Sequence, residues 1–150
     1  MNWFNVYGLA AVVILLAPNL LYALLCKDAF VDSRRNRAAE IAEQIGRYGC
    51  MGTMIFNIPG TWFGFYFAAG ELVYLIGNGV LLLLYCLTWI VFRKRRNLTK
   101  TLLLSMLPSV LFLFSGILIA SVPLMAFAVV FAVSHILISV KNQRAADCSK

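Results

Sequence analysis

Uncharged apolar stretches long enough to cross a lipid bilayer dominate this chain. Residues 3–25 contain no Asp, Glu, Lys or Arg, and neither does the longer stretch 101–140. About 20 apolar residues in a helix cross the hydrocarbon core of a bilayer. The chain is 62% apolar and 13% charged, whereas soluble domains are about 45–50% apolar and about 25% charged. The sequence therefore predicts an all-α, polytopic transmembrane helix bundle.

The apolar windows predict one domain, residues 1–150, with about five spans. These are residues 3–25, 48–67, 72–92, 102–119 and 124–140. Ser121 and Pro123 mark the turn before the last span, because serine caps helices and proline suits a first helical turn. The last two spans are short, so a re-entrant hairpin is the alternative. No basic residue precedes Lys27, so the first window is expected to be a retained span and not a cleavable signal.

A polar segment separates the first two windows. Its apolar residues Ala38, Ile41, Ala42 and Ile45 recur at helical spacing. This pattern predicts a short amphipathic helix over about residues 33–46 on the cytoplasmic membrane surface. Glu40 and Glu43, on its polar face, are interpreted as solvated charges.

The basic residues indicate the orientation. All 13 Lys and Arg residues fall between spans one and two, between spans three and four, or after span five. Positively charged loops stay cytoplasmic, so the N-terminus is predicted outside and the C-terminus inside. Arg93, Lys94, Arg95 and Arg96 either serve only as this topology signal or also bind anionic lipid headgroups. A nucleic-acid partner is excluded, because these charges flank spans and no basic–aromatic binding module accompanies them.

No motif in the sequence indicates catalysis. A G-x-S-x-G or H-E-x-x-H pattern, a Walker A motif and a Rossmann glycine pattern are all absent. The four cysteines form no C-x-x-C pair, and the membrane region offers too few ligands for a metal. We therefore predict a protein that is not an enzyme and has no cofactor or metal.

Polar residues inside the apolar windows are the candidate binding residues. Asn19, Asn57 and Asn78 lie in three successive spans and can converge into one polar site, with Asn19 and Asn57 as the favoured pair. Pro59 is expected to kink span two and free a backbone carbonyl. Interhelical amide contacts are worth about 0.6–2 kcal/mol each, so a purely structural role is the competing interpretation.

His135, the single histidine, lies in span five without a carboxylate partner in any span. It either bonds Ser109, Ser134 or a backbone carbonyl in its neutral form, or couples protons.

Span two is rich in glycine. Gly49, Gly52, Gly60 and Gly64 are predicted helix-packing positions, the last two as a G-x-x-x-G motif that lets another helix approach closely. Such a stripe predicts that span two is central in the bundle or lies at an oligomer interface.

The pattern EQIGRYGCMGTMIFNIPGTWFG, followed by YLIGN, LPSVLFLFSG and HILISVKN, resembles a family of small, uncharacterised integral membrane proteins of Gram-positive bacteria. The resemblance runs along most of the chain. It implies a multi-pass protein of the bacterial plasma membrane and implies no mechanism.

Two functions are compatible with these patterns. The first is a membrane-embedded binding or transport module that works as a homo-oligomer or with a partner, since five short helices are too few to enclose a pathway. The second is a non-catalytic accessory subunit of a larger membrane complex, with the glycine stripe as its docking surface.

Overall fold

The computed structural model describes residues 3–25, 37–58, 61–62, 64–91 and 98–148. Within these ranges the fold is all-α, as the sequence predicts. Its five helices are α1 (Val6–Leu25), α2 (Arg37–Ile55), α3 (Gly70–Val91), α4 (Leu98–Leu118) and α5 (Val122–Cys148). The described residues contain no strand, and a single bridge pairs Phe4 with Phe56.

Consecutive helices run in opposite directions. The Asn5 backbone nitrogen donates to the Ile55 carbonyl (2.8 Å), which places the start of α1 at the end of α2. The Ser115 hydroxyl donates to Asn78 Oδ1 (2.9 Å), which places the end of α4 beside the start of α3. Phe112 of α4 packs edge-on against Phe131 of α5. The helices therefore form an up-and-down bundle in which α5 packs on α2 and α4, and α3 packs on α1 and α4.

Helix α2 corrects two predicted boundaries. The amphipathic helix at 33–46 and the span at 48–67 are not separate elements, because one helix runs from Arg37 to Ile55. It ends there because the Ile55 carbonyl accepts from Asn5 and Phe56 pairs with Phe4. A proline four positions after Ile55 also cannot continue the helix, since its ring lacks a donor and clashes with that carbonyl. Pro59 itself lies outside the described residues.

The turn between α4 and α5 falls where Ser121 and Pro123 predict it. Ser121 N donates to the Gly116 carbonyl (3.0 Å) and Ala120 N to the Ile117 carbonyl (3.2 Å). Ala120 has a positive φ of 57°. These features form a Schellman motif, which satisfies the last carbonyls of α4. Ser121 then accepts the first hydrogen bond of α5, from Met125 N (3.0 Å).

Within the described ranges, two helical segments are long and apolar enough to cross a membrane. They are Gly70–Val91 and Val122–Lys141, and the apolar stretches Val6–Leu21 and Leu102–Leu118 are shorter. Helix α2 is the most polar of the five described helices by sequence, and Glu40, Glu43 and Arg47 lie within its first eleven residues. By length and composition, α3 and α5 are therefore the candidate membrane-spanning helices in the described part of the chain.

Candidate functional site

Four buried polar side chains form a neutral cluster between α1, α3 and α4. They are Asn5, Tyr74, Asn78 and Ser115, each at most 4% exposed. Asn78 Nδ2 donates to the Tyr74 carbonyl (2.9 Å), and Asn78 Oδ1 accepts from the Ser115 hydroxyl (2.9 Å). Both ends of the Asn78 amide are therefore used within the bundle.

Asn5 joins this neutral cluster to the end of α2. Its Nδ2 donates to the Met54 carbonyl (3.2 Å) and contacts the Tyr74 hydroxyl (3.4 Å). Its backbone carbonyl accepts the first hydrogen bond of α1, from Leu9 N (3.0 Å). Among the described residues Asn5 Oδ1 has no hydrogen-bond partner. The residue thus begins α1 and terminates α2 at the same time.

A second group, the charged cluster, lies between α2 and α5. It consists of Glu43, Arg47 and His135. The Arg47 guanidinium donates to Glu43 Oε1, and His135 Nδ1 lies 2.9 Å from the same oxygen. An ionised carboxylate oxygen only accepts, so an ionised Glu43 takes this hydrogen bond from an Nδ1–H of His135. The imidazole stacks on Phe131, with ring centroids 4.8 Å apart and planes 15° apart.

The charged cluster corrects two sequence interpretations. Glu43 is buried, at 8% exposed, and is not a solvated charge. His135 has a carboxylate partner, whereas the Ser134 hydroxyl bonds the Val130 carbonyl and the Ser109 hydroxyl bonds the Ser105 carbonyl. Both interpretations placed residues 33–46 on the membrane surface. The continuous helix α2 instead carries Glu43 against α5.

Glycine allows α2 and α5 to approach this closely. A Cβ at Gly46 would lie 2.8 Å from the Phe131 backbone, and one at Gly49 would lie 2.4 Å from the Phe127 ring. The other predicted packing glycines behave differently. No atom lies within 4 Å of a Cβ at Gly52, Gly64 lies outside any helix, and Gly60 lies outside the described residues. A G-x-x-x-G motif within one helix is therefore wrong for residues 60–64, because α2 ends at Ile55.

Asn19 pairs with Tyr85 near the depth of the charged cluster. The Tyr85 hydroxyl donates to Asn19 Oδ1 (3.0 Å), and Arg47 of α2 is close enough to interact electrostatically with Tyr85. At 1.5 Å per residue, Asn19, Tyr85 and His135 each lie about 20 Å along their helices from the end where α1, α3 and α5 begin. Four helices therefore contribute polar side chains to one level of the bundle.

The predicted convergence of three asparagines is wrong. Asn57 lies at the opposite end of α1 from Asn19, where its backbone nitrogen donates to the Trp3 carbonyl (2.9 Å) and its Oδ1 accepts from Thr61 (3.3 Å). Asn78 belongs to the neutral cluster. Helix α2 ends before Asn57, which removes that residue from mid-helix. The basic run Arg93, Lys94, Arg95 and Arg96 lies outside the described residues.

An open groove separates α1 from α3 beside the neutral cluster. It encloses about 160 Å³, and its walls are Tyr7, Ala10 and Ile14 of α1 with Leu75, Gly79 and Leu82 of α3. Tyr74 and Asn78 lie at its floor. A Cβ at Gly79 would meet no atom within 4 Å. Glu71 at the start of α3 is close enough to interact electrostatically with Tyr7.

Two signals in the sequence pointed to the charged cluster. Glu43 and Arg47 are four residues apart, the spacing of a helical ion pair, and Gly46 and Gly49 continue the glycine pattern of span two into the polar segment. What sequence spacing does not show is that His135, 92 positions after Glu43, packs on the same side. Within the described residues no three His, Cys, Asp or Glu side chains are grouped to hold a metal ion.

Comparison with known proteins gives no relative: the chain matches no model of a protein family, no curated protein and no solved structure.

Proposed function

We propose that this chain is a multi-pass protein of the bacterial plasma membrane, with five spans, the N-terminus outside and the C-terminus cytoplasmic. Supporting this, α3 exposes Leu72, Ile76, Leu83 and Ile90, each more than 55% accessible. Extended apolar surface on a protein is covered by a partner or a membrane. In an up-and-down order of five helices, every basic residue of the sequence except Arg47, which lies inside α2, falls at one side, in agreement with the positive-inside rule.

The charged cluster explains how α2 can be a span despite its composition. Charged side chains inside a membrane are costly unless they face the bundle interior and pair with one another. The Glu43 carboxylate faces α5, where it contacts His135, and it also contacts Arg47 of α2. Several apolar residues of α2 remain exposed, among them Ile41, Ile45 and Tyr48.

We propose that the protein is a membrane-embedded binding or transport module, with its site at the charged cluster and the Asn19–Tyr85 pair. One observation carries this proposal: a buried carboxylate inside the bundle is bonded to both the single histidine and an arginine. Intramembrane ionisable groups mark ion and substrate pathways. The Glu43–His135 contact pairs an imidazole with a carboxylate, and we propose that a ligand binds there together with a proton. No catalytic activity is proposed.

The site is proposed to work in an oligomer or with a partner protein. Glu43 belongs to α2, and α2 presents an exposed stripe of Ile41, Ile45, Tyr48 and Gly52 on another side. Such a stripe, with a glycine in it, suits the close approach of a second helix. It also favours the second candidate function, an accessory subunit that docks on a larger membrane complex through α2.

Native mass spectrometry of the protein released from lipid nanodiscs tests the binding module. We expect a defined oligomer that carries a reproducible small-molecule mass. In Glu43→Gln, the fraction of protein that carries this mass should fall at least tenfold. Glu40→Gln, one turn earlier on the same helix, is the matched control and should retain it. If Glu43→Gln carries the same mass as wild type, the charged cluster is not the site. If the protein is instead a monomer without a bound small molecule and associates only with another protein, this result supports the accessory role.

A further inference from the structure

Exposed aromatic side chains are concentrated at one end of the bundle, where α1, α3 and α5 begin. Within the described residues, seven Phe, Tyr and Trp side chains are more than 40% exposed, and all but Tyr48 lie at this end. These six, the aromatic rim, are Trp3, Tyr7, Phe56, Trp62, Tyr66 and Phe67. We propose that the aromatic rim lies in the lipid–water interface of the outer leaflet and anchors the protein there. The inference rests on the membrane setting of the proposed function and concerns a surface separate from the charged cluster.

Contacts between segments place the aromatic rim at one level of the bundle. Trp3, before α1, stacks on Phe56, after α2, with ring centroids 5.8 Å apart. The Gly64 backbone nitrogen donates to the Ile119 carbonyl (3.0 Å), which ties the segment between α2 and α3 to the end of α4. The rim therefore surrounds a single end of the molecule.

The backbone of the segment between α2 and α3 excludes the hydrocarbon core. Its described residues, 56–58, 61–62 and 64–69, form no helix. Irregular backbone exposed to lipid does not occur in the hydrocarbon region, because its polar groups have no partners there. Trp62 and Tyr66 on this segment are nevertheless 66% and 71% exposed. Trp and Tyr are enriched at membrane–water interfaces, since their rings are apolar and their polar atoms stay hydrated. The interface accommodates both this backbone and these rings.

The basic residues lie about one bilayer thickness from the aromatic rim. Counted from the aromatic end of each helix, the first Lys or Arg of the sequence is 18 to 23 positions away, at Lys27 for α1, Arg93 for α3, Lys100 for α4 and Lys141 for α5. About 20 helical residues span the roughly 30 Å of the hydrocarbon core. A boundary at the rim thus puts the other boundary at the cytoplasmic basic residues. Arg47 of α2 is the exception, and it pairs with Glu43.

The chain around the aromatic rim is neutral. Residues 3–25 and 56–70 contain no Asp, Glu, Lys or Arg. Basic side chains are what attract a protein to anionic lipid, and these two stretches supply none. The depth of the rim should therefore be the same in neutral and in anionic bilayers.

Tryptophan fluorescence in vesicles tests this placement. The chain has three tryptophans, so Trp3→Phe combined with Trp89→Phe leaves Trp62 as the single reporter. Bromine atoms near the headgroup end of the acyl chains should quench Trp62 about threefold more than bromine atoms near the bilayer centre. We expect this order in phosphatidylcholine and in phosphatidylglycerol vesicles alike.

The matched control carries Val80→Trp in a chain whose three tryptophans are replaced by phenylalanine. Val80 is half-exposed on α3 and lies about 15 Å along the helix from its start, which is the bilayer centre if the boundary is at the rim. The order of quenching should therefore be reversed in the control.

Three results for Trp62 would overturn the proposal. Stronger quenching by the deep bromines would place it in the hydrocarbon core, and quenching by aqueous iodide alone would place it in water. Protection from both quenchers would assign the aromatic rim to a protein partner or a second copy.

The control separates this proposal from the proposed function. If neither brominated lipid quenches Val80→Trp, the membrane setting itself is wrong. If the control is quenched and Trp62 is not, the placement of the aromatic rim alone is wrong. Trp3→Tyr with Trp89→Tyr, which keeps a polar atom on each ring, replaces the phenylalanine pair if circular dichroism shows that pair unfolded.

Discussion

Asn5 shows how much one polar side chain can do at the end of a bundle. Its amide nitrogen reaches the Met54 carbonyl while its backbone nitrogen reaches that of Ile55. The last carbonyls of a helix have no partner within the helix, and here a residue 49 positions away supplies two donors. The asparagines that the sequence indicates as candidates lie well inside apolar windows, whereas Asn5 lies near the beginning of one.

Replacing Asn5 with alanine tests this account. The variant loses the donor to Met54 and leaves a buried carbonyl without a partner, which costs about 1–3 kcal/mol. We expect a lower thermal midpoint in detergent, measured by circular dichroism. Asn57→Ala is the control, because Asn57 is partly exposed and its side chain bonds only Thr61 among the described partners. Equal midpoints for Asn5→Ala and wild type would mean that Asn5 does not terminate α2 energetically.

At the scale of the element, α2 is the helix that the sequence describes least well. The first part of its sequence is polar and the second part is apolar. The sequence therefore predicts two elements where the chain makes one. Helices α3, α4 and α5 could be predicted to within a few residues at most ends, because their apolar windows have the length of a helix. The exception is the end of α5, which continues to Cys148 past the predicted end at 140.

The close packing of α2 on α5 gives a prediction with an internal control. Gly46→Ala places a methyl group 2.8 Å from the Phe131 backbone, which cannot move as a side-chain end can. Such overpacking costs about 1–3 kcal/mol. Gly79→Ala on α3 meets open space and should gain about 0.5–1 kcal/mol from reduced backbone freedom. Detergent unfolding midpoints of the two variants should therefore move in opposite directions, and equal midpoints would contradict the described helix contact.

For the whole molecule, composition and the spacing of apolar windows were enough to predict an all-α bundle. They were not enough to predict the candidate site. Which polar side chains meet depends on helix rotation and on neighbours distant in sequence, as with Glu43 and His135, or Tyr85 and Asn19. A pattern along one helix records its own faces and contains no information about which other helix covers them.

The proposed topology makes a prediction at this scale. A fluorescent protein that folds only in the cytoplasm should be bright when fused after Lys150, whereas alkaline phosphatase, active only outside, should be active when inserted after Ala68. Replacing the four residues from Arg93 to Arg96 with serine should produce a mixed population, because these residues supply four of the 13 basic charges. An externally located C-terminal fusion in the intact chain would rule out five spans.

The contacts of Asn5 also impose an order on biogenesis. A chain is synthesised from its N-terminal end, so Asn5 leaves the ribosome long before its partners Met54 and Tyr74, 49 and 69 positions later. The first helix can form early, yet its leading end lacks its native partners until the third helix has been synthesised. Completion of that corner of the bundle is therefore a late event in folding.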